Sequence, residues 1–413
     1  MHLSMLEWLR CPFCGTRMTV VNESPVVMQD AEMTSGVLGC ECCAYPVIAG
    51  IPVLIADDTT RTAMHQLESG CGDEALLTLL GLEGERAEAF AAQLARPDQM
   101  TYRSALEVLS PDPEGTYFLY RFSDPTYVMA QSVMEAIGQH SPLRRGRAID
   151  LCGGSGHLTR VLTAQERGGE VVLADVFFWK LWLAKAFTAP DCAPVCCDAN
   201  NPLPFARGSF QLVVLSDAFP YIWHKRLLAD EMVRLMNAGG AIVMPHLHSS
   251  LGENFSAGMT LTPASYRDLF EPAQPRLFND ATLLDDSLDR ALVDLNAHVS
   301  PEALGSAPSF TLVASRDATL FRRFTLPPPS DVRGELRVNP LYRVEAGSMD
   351  SLLTLAFPND DYEEEFGECK RYLAPSVTIP GDARGLLDAR TLGAEADHLI
   401  RARVLIDTPR RYY

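Results

Sequence analysis

A chain of 413 residues, 47% hydrophobic and 21% charged, exceeds one average domain and has the composition of a globular protein able to bury a core. Its formal net charge of −18, with no clear basic stripe, argues against a protein whose main task is gripping nucleic-acid phosphates. No signal-peptide core opens it and no long apolar run appears, so a cytoplasmic location without a membrane span is expected, and its 11 cysteines point to metal ligands and buried thiols before disulfides.

The first elements are two cysteine clusters. Leu9-Arg-Cys11-Pro-Phe-Cys14-Gly15 is a C-x-x-C turn ending in glycine, which aims two thiolates at one tetrahedral ion. Leu38-Gly-Cys40-Glu-Cys42-Cys43 can complete the site. A structural zinc site on Cys11, Cys14, Cys40 and Cys43 is expected, with Cys42 as the alternative to Cys43. Four protein ligands leave no position for water, so catalysis at this ion is not expected. Tyr45-Pro46-Val47-Ile-Ala-Gly50-Ile51-Pro52-Val53-Leu54 follows. With the cysteines, it makes residues 5–56 resemble the small zinc-ribbon proteins that activate tRNA and release-factor methyltransferases. The resemblance implies those cysteine ligands and a final strand that packs on, or pairs with, a methyltransferase.

Residues 58–110 read as helices with polar faces, for example Asp73–Leu80 and Glu85–Leu94. Pro111-Asp-Pro113-Glu-Gly115 is a break. Tyr117-Phe-Leu-Tyr120-Arg121-Phe122 then precedes a helix over about Thr126–Gln139.

Arg147-Ala-Ile-Asp150-Leu-Cys152-Gly153-Gly154-Ser-Gly156-His157-Leu-Thr159 reads as a strand, a tight loop and a helix start. The glycines permit unusual φ values and close approach of a ligand, and the helix start offers unpaired N–H groups. A dinucleotide fingerprint fails, because Thr159 stands where its third small residue belongs. Asp150 ahead of the glycines resembles the first motif, D-x-G-x-G-x-G, of class I S-adenosylmethionine (AdoMet)-dependent methyltransferases. Cys152 stands where that motif has its first glycine.

Further landmarks follow in order. Glu170–Asp175 reads as a second strand ending in an acid that can accept both ribose hydroxyls, with Phe177 and Trp179 just after it able to lie against the adenine. Val195-Cys-Cys-Asp198-Ala199 resembles the third-strand region, whose acid contacts the adenine amino group. Gly208-Ser-Phe210-Gln211-Leu-Val-Val214-Leu-Ser216 resembles the fourth strand, G-S-F-D-x-V-V, with Gln211 for the aspartate. A helix over His224–Leu235 leads through Asn237-Ala238-Gly239-Gly240 into a strand at Ala241–Met244, with the double glycine expected as a left-handed turn. The resemblance, over about residues 145–245, implies an α/β, Rossmann-like class I methyltransferase core. It implies AdoMet held by Asp150, Gly153, Gly154, Gly156, Asp175, Val176, Asp198, Ala199 and Ser216 at the carboxyl ends of the strands. In such enzymes the segment before the first strand often caps the cofactor or substrate, a role open to Arg121 and its aromatic neighbours.

Methyl transfer is an in-line displacement, so acceptor-positioning and proton-accepting groups are needed. Ser216-Asp217-Ala-Phe-Pro220-Tyr221-Ile-Trp223-His224 stands where amino-methylating enzymes carry N/D-P-P-Y/F, but departs from it. Met244-Pro-His246-Leu-His248 alternates, which puts His246 and His248 on one face. With Glu253 they could bind a metal or an acidic substrate; an active-site role is expected for them, alongside Tyr221 and His224. Asp217 reads as an acceptor contact or a helix cap.

An acidic helix is expected around 283–297, a closing strand at Ser309–Ser315 and a boundary at Pro327. The expected division is a zinc ribbon at 1–57, a helical connector at 58–115, the methyltransferase domain at 116–326 and an α+β extension at 327–413 that covers the substrate site or makes a homodimer contact. The function expected is O- or N-methylation of a small molecule or biosynthetic intermediate. The alternatives are an RNA- or protein-modifying methyltransferase, from what the ribbon's relatives do, and a non-catalytic scaffold, from Cys152 and Gln211.

Overall fold

The computed structural model describes residues 1–22, 24–110, 113–254, 256, 258–329, 331–347 and 349–413; the break expected at Pro111 and Asp112 lies outside them. Five short strands come first: β1 (Thr19–Val20), β2 (Val27–Gln29), β3 (Glu32–Gly39), β4 (Ala44–Ile48) and β5 (Ile51–Pro52). They form one antiparallel sheet. Ala49 and Gly50 join β4 to β5, both at positive φ (51° and 74°), as a two-residue hairpin demands.

Helices α1 (Asp58–Glu68), α2 (Gly72–Leu79), α3 (Gly84–Leu94) and α4 (Tyr102–Leu109) follow, then α5 (Pro113–Tyr120) and α6 (Pro125–Gly138). The first begins where the Asp57 side chain accepts the Thr60 N–H, satisfying an end that would otherwise be orphaned. Ala63, Leu67, Ala75, Phe90, Tyr102 and Leu106 of these helices share one apolar cluster.

The central layer is a seven-stranded sheet. Its strands are β6 (Ala148–Leu151), β7 (Val171–Asp175), β8 (Ala193–Cys196), β9 (Phe210–Val214), β10 (Met236–His248), β11 (Pro275–Asn279) and, beyond β12 (Leu292–Asp294), β13 (Ser309–Ser315). The spatial order is β11-β13-β10-β9-β6-β7-β8. The strands β6 to β10 run parallel, and β13 lies antiparallel between β10 and β11. The helices between them are α7 (His157–Thr163), α8 (Phe178–Leu183), α9 (Lys225–Leu235), α10 (Pro263–Leu269), α11 (Asp280–Asp289) and α12 (Pro301–Leu304). Every residue of β6, β7 and β13 is buried, as a sheet covered on both faces requires. This is the class I arrangement, and strand order reverses between β6 and β9, where α/β sheets open a crevice.

Two local expectations change. The acidic helix ends at Asp289, and Leu292–Asp294 pairs as β12 with β14 (Arg323–Thr325) after a left-handed Ala291. The double glycine is extended inside β10 rather than left-handed, with α9 ending at Leu235. Gly240 is required there for another reason: a Cβ would stand 2.8 Å from the Gln211 carbonyl oxygen.

The N-terminal sheet docks on the edge of this layer. Val53 bridges Cys196 of β8 in parallel, and the Trp8 carbonyl accepts the Ala206 N–H at 2.8 Å. Trp8, Leu9 and Leu54 consequently share one apolar cluster with Ile149, Val172, Val195 and Phe210. Residues beyond 330 add β15 (Glu335–Val338), β16 (Tyr342–Ala346), β17 (Asp350–Leu355), α13 (Asp360–Phe366), β18 (Ser376–Pro380) and β19 (Leu405–Thr408). Tyr117 and Tyr120 of α5 pack against their core. No helix among the described residues is long and apolar enough to cross a membrane.

Candidate active site

A cleft of about 720 Å³ opens at the carboxyl ends of β6, β7, β8 and β9, within the size range of small-molecule sites. Asp150, Gly153, Gly154, Asp175, Val176, Asp198, Ala199 and Ser216 all line it, together with Asp217 and Tyr221. Tyr117 and Phe118 of α5 and Arg121, in the turn just after it, line the cleft as well, and Glu365 of α13 reaches in from the C-terminal extension.

The loop after β6 is shaped by close contacts. Asp150 is 1% exposed and accepts the Thr159 hydroxyl at 2.7 Å. Burial pushes its carboxyl up to about 7; Thr159 pulls the other way and the charge of Asp175 adds to the rise. A Cβ on Gly153 would stand 2.6 Å from the Asp150 carboxyl carbon, and one on Gly154 (φ +56°) 3.1 Å from the Phe118 ring. Cys152, in the motif's glycine position, keeps a glycine-like backbone at φ +54°. A side chain there costs roughly 1–2 kcal/mol but leaves the loop's course intact. Gly156 (φ +81°) is not among the residues lining the cleft; it lets α7 approach Ala184, which an added Cβ would meet at 2.9 Å.

Asp175 ends β7 with both oxygens oriented: Oδ2 accepts the Gly154 N–H at 3.0 Å and Oδ1 that of Phe177 at 2.9 Å. Burial raises its pKa. A carboxylate has lone pairs for further partners, so a vicinal diol can be accepted from the cleft side. Asp198 is held by Asn200 (2.8 Å to its N–H) and Asn201 (2.8 Å to Nδ2). Phe177 lines the cleft with Lys180 Nζ 4.4 Å from its ring, whereas Trp179 packs edge-on against Phe118. Gln211 is structural: its amide donates to the Gly239 carbonyl at 2.6 Å and its oxygen accepts from Asn237 at 2.6 Å.

At the far edge of the cleft, the lining residue Asp217 follows β9 at φ +62°, while His246 and His248 stand behind it and are not among the lining residues; His246, at φ +59°, lines a separate small cavity with Asp280. A bulge between Met244 and Leu247, not simple alternation, brings the His246 and His248 rings to 4.7 Å. His248 Nε2 lies 2.9 Å from Asp217 Oδ1, and His246 Nδ1 lies 3.2 Å from Asp280 Oδ2. The Thr311 hydroxyl donates to Asp280 Oδ1 at 2.7 Å. Burial would raise the Asp217 pKa, but the His248 hydrogen bond and the charges of both histidines and Arg121 hold it at about 2. Burial would lower that of His246, and its carboxylate neighbours Asp280 and Asp217 raise it instead. The guanidinium of Arg121 donates to both oxygens of Asp124 at 3.0 and 2.8 Å.

His224 is not brought to this edge; its Nδ1 meets the Asn200 carbonyl at 2.8 Å beside α9. Glu253 is exposed. Asp217 caps no helix, since the turn that follows is preceded by Ala218. Glu365, Asp280, Lys180 and Asn200 escape the sequence reading, and only the acidic run around Glu365 signals one of them.

In the N-terminal sheet, the sulfurs of Cys11, Cys14, Cys40 and Cys42 lie within 4.8 Å of one another. The separations are 3.9 Å (Cys11–Cys42), 3.7 Å (Cys14–Cys40) and 3.7 Å (Cys40–Cys42). A zinc ion with four sulfurs at about 2.3 Å has tetrahedron edges of about 3.8 Å, so the cluster fits it. Cys42 occupies the place expected for Cys43, whose sulfur lies outside the group, 3.4 Å from that of Cys42.

A family model described as a methyltransferase domain matches residues 148–240, the stretch from β6 into β10. Among solved structures, a SAM-dependent methyltransferase from Aquifex aeolicus is 12% identical, with a TM-score of 0.33 over 49% of this chain and 97% of that one. A chain from the complex between the Haloferax volcanii Trm112 methyltransferase activator and a methyltransferase is 16% identical, with a TM-score of 0.35 over 52% of this chain and 96% of that one. No curated protein sequence shows a significant match.

Proposed function

We propose that this chain, an AdoMet-dependent methyltransferase by its domain and its sheet, methylates an oxygen or nitrogen of a small molecule held at the Asp217 edge of the cleft. One observation carries the reading: Asp150, Asp175 and Asp198, from the ends of three adjacent strands, line a single cleft with the glycine loop. The residues fit AdoMet because Gly153 and Gly154 line the cleft without side chains to fill it and because the buried Asp175 presents an oriented carboxylate.

AdoMet, when bound, supplies an electrophilic methyl group on a sulfonium. The chain's own residues do the rest. Gly153 and Gly154 cradle the methionine part, Asp175 accepts the ribose hydroxyls, and Asp198, Ala199 and Phe177 hold the adenine end. Asp150 keeps the loop's shape through Thr159 and Gly153. Arg121, Tyr117 and Phe118 cover the cofactor. Tyr221, Asp217 and the two histidines behind it orient the acceptor toward the methyl carbon, since a near-attack geometry removes much of the barrier.

A small acceptor is favoured over RNA by the net charge of −18 and by Asp217 and Glu365 at the acceptor edge, which would repel phosphates. The four N-terminal thiols hold one structural zinc ion, and the ribbon braces the sheet edge rather than entering the chemistry.

The test is calorimetric titration of the full chain with AdoMet and its demethylated product. Micromolar binding, weakened at least about 10-fold by Asp175→Ala, is expected. Folded protein that binds neither overturns the reading.

A further inference from the structure

We infer that Asp217, His246 and His248 form a binding site for one divalent cation at the acceptor edge of the cleft. Their donor atoms lie within 4.8 Å of one another. Asp217 Oδ1 and His248 Nε2 are 2.9 Å apart. Two ligands each about 2.1 Å from an ion and at right angles to one another are separated by about 3 Å.

The surroundings are those of a ligand set. His246 Nδ1 rests on Asp280, which is itself fixed by Thr311. A proton held on Nδ1 leaves the Nε2 lone pair free, the carboxylate–histidine–metal order seen where imidazoles bind ions. His248 pairs with Asp217 through one nitrogen only; its Nδ1 is buried without a partner among the described residues. Hydrogen bonding within the protein therefore does not satisfy this cluster. Asp217 and His246 both take left-handed backbone although neither is glycine, at roughly 1–2 kcal/mol each. Such strain persists where a structure aims side chains for a purpose.

Charge points the same way. The charged groups that face this cluster include the carboxylates of Asp280 and Glu365 and the guanidinium of Arg121. With both imidazoles neutral, as ligation requires, Asp217, Asp280 and Glu365 outnumber Arg121, an excess of negative charge that a cation relieves. Two imidazoles and one carboxylate suit Mn²⁺, Fe²⁺ or Zn²⁺ better than Mg²⁺ or Ca²⁺. Three protein ligands leave coordination positions open, and Asp217 is the one of the three that lines the cleft. An oxygen of the acceptor fits there, which narrows the substrate to a hydroxyl, enol or carboxylate compound. This role rests on the methyltransferase reading; the binding of the ion does not.

The test uses Mn²⁺, a hard ion that the four thiols do not favour. The zinc-replete full chain is titrated without AdoMet while free Mn²⁺ is followed by electron paramagnetic resonance. One ion per chain is expected, with affinity reduced at least about 10-fold in His246→Ala and His248→Ala and about 10- to 100-fold in Asp280→Asn. Pulsed resonance on the unsubstituted protein should show coupling to two imidazole nitrogens, a readout that no misfolded variant can mimic. Protein that binds AdoMet but no Mn²⁺, or Mn²⁺ bound without imidazole coupling, overturns the site and leaves the histidines as hydrogen-bonding groups. AdoMet binding, measured separately, keeps that outcome distinct from failure of the methyltransferase reading.

Discussion

Leu54 donates its backbone N–H to the carbonyl oxygen of Cys196 at 2.7 Å, so the residues just after β5 bridge the N-terminal sheet to the outer edge of β8. Arg10 makes a second backbone bond to Pro204 at 2.9 Å, and Trp8 packs between Phe205 and Phe210. Ribbon and sheet thus share a core, and losing one should weaken the other. Stripping zinc with a chelator is expected to lower the melting temperature of the whole chain by about 5 °C or more, in one transition. Scanning calorimetry checks this. An early, separate transition with the main one unmoved would show that the ribbon unfolds alone.

The sulfur spacings of 3.7–3.9 Å put Cys42, and not Cys43, in the four-sulfur cluster, which makes Cys42 the proposed zinc ligand. Cys42→Ser should therefore lower zinc from one per chain to well under half, while Cys43→Ser retains it. Metal analysis of the two purified variants decides, and the reverse pattern would reinstate Cys43.

Cys152 holds a left-handed backbone at φ +54° where related loops use glycine. Glycine adopts that conformation without the Cβ clash, so Cys152→Gly should stabilise the fold by about 1 kcal/mol and leave the loop's course unchanged. Denaturant midpoints give the sign. A loss of stability would mean that the packing of the Cys152 side chain outweighs its backbone strain.

What the sequence made legible was local. The glycine loop, the acids Asp175 and Asp198 and the strand β13 each leave a contiguous pattern of apolar run and turn, and the structure has β13 over Ser309–Ser315 and brings the loop and both acids to one cleft. The acceptor edge is less legible, because Asp280 and Glu365 reach it from distant elements that carry no motif. His246 and His248 were readable as a pair, but their meeting depends on a bulge, which alternation alone does not encode. Cys42 and Cys43 are adjacent, and only the course of the turn separates ligand from bystander. The double glycine shows the same limit: its role is the close approach of Gln211, a partner outside the local sequence.

Asp150 gives a pH dependence with a definite sign. Its carboxyl, normally near 3.9, is pushed up to about 7 in the folded chain, chiefly by burial. The folded state then holds the proton more tightly than the unfolded one. The associated stability is complete below about pH 4, falls as pH rises toward 7 and stays lost above it. Three units correspond to an upper figure of roughly 4 kcal/mol. Asp150→Asn mimics the protonated form and can still accept the Thr159 hydroxyl. Between pH 5 and pH 8, wild-type stability without AdoMet should therefore fall by about 2 kcal/mol more than that of the variant. Equal slopes in denaturation would remove Asp150 as the source.

Tyr412 links the far end of the extension to the cofactor loop. Its fully buried hydroxyl donates to the Phe118 carbonyl at 2.8 Å and lies 2.7 Å from His157 Nε2. Burial, with the charges of Arg121 and Arg160, keeps the His157 pKa far below its usual value, so the ring is neutral and must donate its Nε2 proton to Tyr412. His157 opens α7 directly behind the glycines, and Phe118 lies both on Gly154 and against the His157 ring. Tyr412→Phe strands a buried N–H and a carbonyl at once, at about 1–3 kcal/mol each if nothing rearranges. The variant should lose about 2 kcal/mol of stability and bind AdoMet several-fold more weakly, because Phe118 no longer has a fixed seat over the loop. Denaturation and AdoMet titration of the same preparation separate the two effects. Lower stability with unchanged affinity would make the hydroxyl a purely structural tie, with Phe118 held over the loop by its ring contacts alone.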